Sequence, residues 1–207
     1  ANLAAPNFTG NVTFDTTTLT VDATNNRVGI GTASPAEMLH TYSTADTRVE
    51  VESTTGVAAF KATNNSGSYA WYVDSSSDKF HLYDFTDSAN RVTIDGSGAV
   101  GIGVTPGAWS SNYPALQIGQ AATFTGHVSN TQTQLGQNWW VGTGNQYVVN
   151  GAASRLVMSQ DSTITFSQAP SGTAGATMST INDRLVIDPS GNVGIGTSGA
   201  PSFNTGS

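Results

Sequence analysis

The chain has 207 residues, a formal net charge of −7 and no cysteine, which allows one large or two small domains and excludes disulfides and thiolate metal sites. The negative charge argues against nucleic acid as a partner, because phosphate contacts need a basic surface. Charged residues form only 10% of the chain, against about 25% in an average globular protein, but Thr, Ser, Asn and Gln alternate with Val, Ile, Trp and Tyr, which predicts β-structure rather than disorder.

One phrase occurs three times, and internal repetition is the first guide to architecture. The copies extend from Leu19 to Gly31, from Val92 to Gly103 and from Leu185 to Gly196. Each contains two runs of apolar residues at period 2 separated by a turn, which predicts two strands with one apolar face each. The spacing sets six pairs opposite each other: Leu19 with Ile30, Val21 with Val28, Val92 with Ile102, Ile94 with Val100, Leu185 with Ile195, and Ile187 with Val193.

The three predicted turns differ in residues but preserve this pairing. The second and third copies have three-residue loops, Gly96–Gly98 and Pro189–Gly191, whose final glycine suits a positive φ. The first copy has a four-residue loop, Ala23–Asn26, in which Asn tolerates the same conformation. An aspartate precedes each loop, and we expect it to cap the turn rather than bind calcium. These aspartates are Asp22, Asp95 and Asp188.

Six glycines take the strand face opposite to the branched residues of the repeat: Gly29, Gly31, Gly101, Gly103, Gly194 and Gly196. A glycine inside a strand costs roughly 0.5–1 kcal/mol relative to alanine, and its usual justification is a bulge or the close approach of another backbone. Repetition in register favours close approach over turn flexibility, for example to a neighbouring chain around a symmetry axis. We therefore predict that these six positions are critical for packing.

In chain order, the one helical signal is Pro35–His40, where Ser34 would cap one or two turns. The other signals are strands separated by turn residues. In the first half the predicted strands are 47–52, 57–62, 68–73, 79–83 and 91–95. In the second half they are 115–118, 123–128, 138–142, 147–149, 155–159, 163–166 and 184–188. Strands at this density predict a sandwich, prism or barrel.

Two pairs of adjacent aromatic residues, Trp71–Tyr72 and Trp139–Trp140, lie on predicted strands. Because neighbouring residues of a strand point to opposite faces, we expect one member of each pair to face solvent or another subunit. Together with Tyr147 they are the candidates for contact with a receptor or glycan, since Trp and Tyr offer flat apolar area with a polar edge. A subunit interface or the core would accommodate them equally well.

The sequence lacks the patterns of catalysis and metal binding. No nucleophile elbow surrounds any serine, and the three histidines have no spacing typical of metal ligands. Glycoside hydrolysis needs two carboxylates at a defined separation, and the aspartates of the stretch 74–87 are better explained as turn residues. We expect no enzyme activity, no catalytic residue, no cofactor and no metal. No window approaches the roughly 20 apolar residues of a membrane helix, and residues 1–5 lack the pattern of a signal peptide.

The repeat resembles that of a known class of proteins. The segments Asn26–Pro35 and Ile187–Thr197, together with Ala169–Gly175, are similar to the repeats of bacteriophage tail fibres and related receptor-binding fibres. The resemblance implies an elongated homotrimer, synthesis in the bacterial cytoplasm, a location on the virion surface and a role in host attachment. The implied partners are other tail or capsid proteins and a polysaccharide or protein of the host surface. Exposed sheet edges invite aggregation, and we expect the trimer interfaces to close them.

The expected fold is all-β: an elongated, homotrimeric fibre of β-hairpin repeats and small β-prism or sandwich modules. We divide the chain into an N-terminal repeat or shaft segment (1–35), a first β-module (36–106), a second β-module (107–197) and a C-terminal tail (198–207). The expected function is a structural virion fibre segment that spaces and presents a receptor-binding surface, directed at a cell-surface glycan. Two alternatives stay open: a purely structural capsid fibre or connector, and a glycan-hydrolysing tailspike.

Overall fold

The computed structural model describes residues 10–15 and 17–196, and the chain divides into two compact units, Ala1–Glu50 and Val51–Ser207. The described residues are all-β and contain no helix. The predicted tail at 198–207 lies outside the described residues. The first unit holds β1 (Val12–Phe14), β2 (Leu19–Asp22), β3 (Arg27–Ile30) and β4 (Leu39–Thr41).

The second unit contains the remaining strands. Its first half holds β5 (Ala58–Asn64), β6 (Gly67–Val73), β7 (Phe80–Asp84), β8 (Ala89–Ile94) and β9 (Val100–Ile102). Its second half holds β10 (Ala115–Ile118), β11 (Ala122–Gly126), β12 (Thr133–Gln137), β13 (Trp140–Val141), β14 (Asn145–Gln146), β15 (Gly151–Met158), β16 (Ile164–Gly172), β17 (Asn182–Ile187) and β18 (Val193–Ile195).

Each unit is built on one sheet whose strands follow one another in sequence order. The first unit has the order β1-β2-β3-β4, and the second has a twelve-stranded sheet that runs from β5 to β18 and omits only β13 and β14, which pair with each other. Neighbouring strands are antiparallel except β3–β4 and β9–β10, which are parallel. Both sheets are therefore mixed meanders in which most contacts are local.

The hairpins of the repeat have the predicted register. All six predicted pairs lie opposite each other in β2–β3, β8–β9 and β17–β18. Gly98 and Gly191 close their loops with φ of 84° and 85°, and Asn26 closes the first loop with φ of 56°. The aspartate before each loop accepts a hydrogen bond from the backbone N–H two residues later. The turn-capping prediction for the three aspartates is confirmed.

The repeat also continues beyond the hairpin, which the sequence did not indicate. After Val-Gly-Ile-Gly, the first two copies form a loop and return as a third strand parallel to the second. The register is the same in both, with Val28 opposite Leu39 and Val100 opposite Leu116. The connection is five residues longer in the second copy (116 − 100 = 16 against 39 − 28 = 11), and this difference hides the equivalence in the sequence.

Two of the glycines at the second position of Val-Gly-Ile-Gly, Gly29 and Gly101, lie under the loop that follows them. Gly29, Gly101 and Gly194 are buried. A Cβ on Gly29 would lie 2.5 Å from the carbonyl oxygen of Thr32, and one on Gly101 would collide with the carbonyl oxygen of Val104. The predicted close backbone approach is confirmed at these two positions, but the approaching backbone belongs to the same chain. A neighbouring chain on a symmetry axis is not needed to explain them.

The glycines at the fourth position have a different role. Gly31, Gly103 and Gly196 have φ of 79°, 66° and 74°. Each donates its N–H to the carbonyl of the residue that precedes the paired part of the hairpin, namely Thr18, Arg91 and Arg184. A positive φ at this point turns the chain out of the strand, which glycine does without steric strain. At Gly31 an added Cβ would also collide with the carbonyl oxygen of Tyr42, so the predicted close backbone approach is confirmed there too, whereas the Cβ position of Gly103 is open. The prediction of a single packing role for all six glycines is therefore corrected.

Three predicted elements are wrong. The predicted strand at 147–149 is absent, because β14 ends at Gln146 and the next strand begins at Gly151. The segment Pro35–His40 is not helical: residues 36–38 form bends, and β4 begins at Leu39 because its backbone pairs with β3. The predicted strand at 47–52 is also absent, since residues 43–57 contain no strand and make no backbone–backbone hydrogen bond to the described residues. The alternation of Val49 and Val51 with charged residues does not suffice to form a strand when no partner strand lies beside it.

A single sheet crosses the predicted boundary between the two β-modules at residue 106. β9 belongs to the first module and β10 to the second, and the two pair in parallel. The segments 36–106 and 107–197 therefore share one twelve-stranded sheet and do not form separate sandwiches.

Candidate interaction face

One continuous row of apolar residues crosses all twelve strands of the large sheet. Each member lies opposite the next in the strand register. In sheet order the row is Ala58, Val73, Phe80, Ile94, Val100, Leu116, Phe124, Leu135, Leu156, Phe166, Leu185 and Ile195. None of the twelve is buried in the single chain. At a strand spacing of about 4.8 Å, the row is about 50 Å long.

A second apolar row widens this one, on a different side in each half of the sheet. On β5–β10 it consists of Phe60, Trp71, Leu82, Val92, Ile102 and Ile118. On β15–β18 it consists of Met158, Ile164, Ile187 and Val193, on the opposite side of the central row. We call the central row and these flanking residues the apolar stripe. Because the flank changes side, the stripe crosses the sheet obliquely.

The small sheet of the first unit repeats this arrangement. Two apolar rows lie on one face, Val12, Val21, Val28 and Leu39 in one and Phe14, Leu19, Ile30 and Thr41 in the other. Phe14 is 57% exposed and Leu39 is 61% exposed. The opposite face carries Thr20 and Gly29, which are both buried. The same division of faces thus occurs in both units.

The other face of the large sheet is polar and buried. A row opposite to the stripe runs through Tyr72, His81, Thr93, Gly101, Gln117, Thr123, Gly136, Arg155 and Ser167. His81, Thr93, Gln117, Thr123 and Ser167 are buried. Their polar atoms find partners: His81 Nδ1 lies 3.1 Å from Thr93 Oγ1, and Ser167 Oγ donates to Asp183 Oδ1 over 2.8 Å.

Three excursions between strands cover this polar face in the second half of the sheet. They are residues 103–114, 138–150 and 173–181, and the backbone N–H of Gly107 donates to Gln117 Oε1 while Thr123 Oγ1 donates to the carbonyl of Trp139. Two small apolar clusters form under them, one around Trp139, Tyr147 and Met178 and one around Ala99, Trp109 and Ala115. The buried core of the chain is on this side, away from the stripe.

These clusters correct the predictions for three aromatic candidates. Trp139 is 2% exposed and its indole N–H donates to Asn145 Oδ1, while half-buried Trp140 packs against the second cluster. Both can face inward because Asn138 has φ of 53° and breaks the strand before them, so alternation does not apply. Tyr147 is 4% exposed and its hydroxyl donates to the Pro170 carbonyl. Trp139 and Tyr147 therefore cannot contact a receptor.

The other aromatic pair behaves as predicted. Trp71 and Tyr72 point to opposite faces of β6, with Trp71 59% exposed in the stripe. Tyr72 stacks on His81 with ring centroids 4.9 Å apart, and its hydroxyl donates to Asn90 Oδ1. Burial raises the pKa of Tyr72. Trp71 alone among the five aromatic candidates offers a largely free ring.

The apolar stripe is comparable in area to the largest patch of a typical single chain, about 300–600 Å², and such patches are often functional. Two side chains wide and about 50 Å long, it covers roughly 500 Å² if each row occupies about 5 Å. Single chains rarely expose continuous apolar patches of more than a few hundred Å². Here the polar face is covered and the apolar face is open, the reverse of a half-solvated sheet. An exposed apolar face of this kind is suited to packing against another apolar surface.

Several aspartates of the described chain have a lowered pKa. Hydrogen bonds from Ser77 and Ser76 lower the pKa of Asp74 to about 2, and the Arg91 guanidinium lowers that of Asp84 to about 2. Hydrogen bonds also lower the pKa of the turn aspartates Asp22 and Asp188, chiefly from Asn25 and Asn192. A glycosidase needs one carboxyl with a raised pKa as its general acid. The pKa of each of these four aspartates is lowered instead.

Residues 10–15 and 17–196 include no group of three or more His, Asp or Glu side chains placed to hold a metal ion. No helix in that part of the chain is long and apolar enough to cross a membrane. A comparison with protein-family models gave no match, and a comparison with curated proteins gave none either.

Proposed function

We propose that the chain is a structural segment of a virion fibre, in which three copies pack their apolar stripes against one another and together space and present a host-receptor-binding surface. The observation that carries this proposal is the unbroken apolar row across all twelve strands of the large sheet. The fibre-type repeat supplies the biological context, since the stripe is formed in part by its Val and Ile residues.

The energetics favour a cover for this face. Removing roughly 500 Å² of apolar surface from water contributes roughly 12 kcal/mol per chain at 25 cal/mol per Å². Association costs several kcal/mol in lost translational and rotational freedom, so a surplus is left for assembly. Without a cover, the stripe would be a site of aggregation.

The width of the stripe favours three copies. A face-to-face dimer of sheets buries the whole width of both inner faces. Three sheets that converge on one axis bury a narrow strip of each, and this stripe is only two residues wide. Its oblique course agrees with sheets that twist around the axis, as sheets of L-residues do.

In such a trimer, the covered polar face of each sheet points away from the axis and forms the outer surface of the fibre. There the excursions at 103–114, 138–150 and 173–181 present mainly Ser, Thr, Asn, Gln and Gly. Neutral donors and acceptors of this kind suit the hydroxyls of a surface glycan. This composition supports receptor presentation over a role as a bare connector.

Light scattering of the purified chain tests the assembly. We expect roughly three times the 21.3 kDa of one chain. Phe124→Asp and Leu135→Asp place a charge on the central row, where each wild-type side chain is 47% exposed and outside the chain's own core, so the variants should fold and stay monomeric. Thr143→Asp, on the exposed β13–β14 turn, is the control and should remain trimeric. A wild-type chain that is a folded monomer at micromolar concentration overturns the assembly.

Binding of the labelled wild-type chain to whole bacterial cells tests the receptor function. Saturable binding that soluble surface polysaccharide competes away supports it. A stable trimer that binds none of a panel of hosts supports a connector instead. Release of reducing ends from the polysaccharide would show a hydrolase and contradict the proposal.

A further inference from the structure

Two arginines occupy equivalent bulges in the second and third copies of the repeat. The register of β7–β8 leaves one extra residue in β8, which is Arg91, and the register of β16–β17 leaves one in β17, which is Arg184. A bulge leaves its extra residue out of the ladder and re-aims the side chain. In both copies the carbonyl of this arginine accepts the N–H of the glycine that ends the repeat.

The residue that contacts the guanidinium differs between the two copies. Arg91 Nε donates to Asp84 Oδ2 over 3.1 Å, its Nη2 donates to the same oxygen over 2.6 Å, and the side chain also pairs with Asp87. Arg184 Nε donates over 3.2 Å to Gln168 Oε1. Gln168 stands two residues beyond Phe166, as Asp84 stands two beyond Leu82, and both pairs adjoin the bulge.

A neutral amide therefore replaces the carboxylate of the second copy. Among the described residues no carboxylate lies within salt-bridge distance of Arg184. One contact to Gln168 uses one of the five guanidinium donors. The remaining donors and the full positive charge are left at the surface of a chain whose net charge is −7.

The surroundings of Arg184 form a polar recess at the side of the apolar stripe. A cavity of about 290 Å³ is lined by the polar residues Gln137, Ser154, Gln168, Asn182 and Arg184, together with three alanines and Pro170. A neighbouring cavity of about 470 Å³ shares Gln137, Ser154, Gln168 and Arg184, but its lining is mainly apolar and includes Leu135, Leu156 and Phe166 of the central row. On β5–β10 the same row of the sheet consists of the flanking apolar residues of the stripe. On β12–β17 this row carries amides and hydroxyls, which do not contribute to an apolar surface. We call this site the Arg184 recess.

We propose that the Arg184 recess binds the carboxylate of an acidic saccharide. Its guanidinium takes the ligand carboxylate through the donors that Gln168 leaves free, since guanidinium and carboxylate can pair through two parallel hydrogen bonds. The amides of Gln137 and Gln168 both donate and accept, as ring hydroxyls require. The biological meaning of this site rests on the proposed receptor function, and it narrows the receptor to an acidic glycan.

The test is an NMR titration of the full chain with trigalacturonic acid and, separately, with its fully methyl-esterified, neutral form. We expect the acid to shift the side-chain amide signals of Gln137 and Gln168 and to bind at least about tenfold more tightly than the ester, the usual scale of a hydrogen bond to a charged group. Equal binding of both forms, or no shift of these amides, overturns the site.

Two variants sharpen the test. Gln168→Asp installs the carboxylate of the second copy, keeps Arg184 and should abolish acid binding by neutralising the recess from within. Arg48→Gln removes an exposed arginine paired with Asp46 and should change nothing. Retained acid binding in Gln168→Asp would contradict the proposal.

Light scattering on the same samples separates this site from the assembly. If the chain is monomeric but binds the acid selectively, the recess stands and the fibre assembly fails. If it is trimeric, binds cells and ignores the acid, only the recess is overturned.

Discussion

The second and fourth glycines of Val-Gly-Ile-Gly answer different physical needs. The second is required because a loop backbone lies where its Cβ would be, as the carbonyl of Val104 does over Gly101. The fourth is required by its positive φ, even where the space around it is open, as at Gly103; at Gly31 the carbonyl oxygen of Tyr42 also lies where a Cβ would be. Substitution therefore strains the chain at both positions, through contact in one case and through backbone conformation in the other.

Gly101→Ala should destabilise the chain by about 1–3 kcal/mol, the usual range for overpacking a filled site, because the added Cβ meets Val104 and lies 2.9 Å from Pro106 Cδ. Gly126→Ala is the matched control: Gly126 also lies on a strand, has no atom within 4 Å of the place that a Cβ would take, and has no positive φ. It should be neutral or stabilise by up to about 1 kcal/mol. Urea unfolding measures both, and equal effects would refute the contact argument.

His81 is the buried titratable group of the covered polar face. Its ring stacks on Tyr72, its Nδ1 contacts Thr93, and its Nε2 lies 3.9 Å from Asp74 Oδ2. Burial lowers its pKa below the ordinary 6.5, while Asp74 partly opposes this shift. The folded state thus takes up a proton less readily than the unfolded chain.

The sign of the resulting pH dependence follows from linkage. Stability that is present above pH 6.5 should fall as the pH is lowered toward the pKa of folded His81, because the unfolded state binds the proton first. His81→Asn should remove this part of the slope between pH 7.5 and about 5.5. Urea midpoints across that range, with an NMR titration of the His81 ring, measure it. An unchanged slope in the variant would rule out His81 as its source.

At the scale of elements, the hairpin turns depend on their first aspartate. Asp95 Oδ1 accepts from the backbone N–H of Ser97 and of Ala99, at 2.9 and 3.0 Å, and from the Ser97 hydroxyl at 2.6 Å. The backbone N–H of Gly98 donates to the backbone carbonyl of Asp95. One side chain therefore fixes the loop whose geometry sets the register of β8 and β9.

Asp95→Ala should lower the free energy of unfolding by about 1 kcal/mol, the net value of a typical hydrogen bond, since the released N–H groups can reach water. Asp95→Asn keeps an acceptor oxygen and should lose less. Glu50→Ala, at an exposed position, provides the baseline for loss of a surface carboxylate. A thermal melt in which Asp95→Ala matches Glu50→Ala would show that the cap is not needed.

The sequence predicted elements well where the pattern and the hydrogen-bond ladder coincide. Register in the hairpins followed from period 2, because a slip of one residue would move every apolar side chain to the other face. Prediction from the sequence failed where the chain leaves the hydrogen-bond ladder of the sheet. Asn138 at φ of 53° turned both Trp139 and Trp140 inward. The third strand of the repeat was missed because its parallel pairing follows connections of unequal length.

The Arg184 recess could not be predicted from the sequence, because it too depends on a departure from regular strand alternation. Because Leu185 lies on the face of the stripe, alternation would place Arg184 on the opposite, buried face, and only the bulge brings it beside Gln168. A bulge leaves no composition signal in a single sequence, and the equivalence of Asp84 and Gln168 depends on knowing the register. The apolar row, by contrast, was present in the sequence as scattered alternations whose alignment across twelve strands only the topology reveals.

At the scale of the molecule, the two faces of the large sheet have different roles. One face contributes to the fold of the single chain, and the other is the face that we propose for assembly. The covered polar face, with its hydrogen bonds and two apolar clusters, gives each chain an interior of its own. The stripe adds apolar area that no described part of the same unit covers. Folding of the single chain and association of copies should therefore be separable by mutation, but coupled in the wild-type protein.

This coupling predicts a melting temperature that depends on concentration, since association stabilises the folded state by mass action. With about 0.7 kcal/mol of unfolding enthalpy per residue in three chains, a hundredfold rise in concentration should raise the wild-type Tm by roughly 5 °C. Phe124→Asp should melt lower and at a Tm independent of concentration, because a charge in the central row keeps the copies apart. Differential scanning calorimetry at two concentrations measures this. A wild-type Tm that stays constant, with the variant unchanged from it, would mean that the stripe is not an interface between copies of this chain.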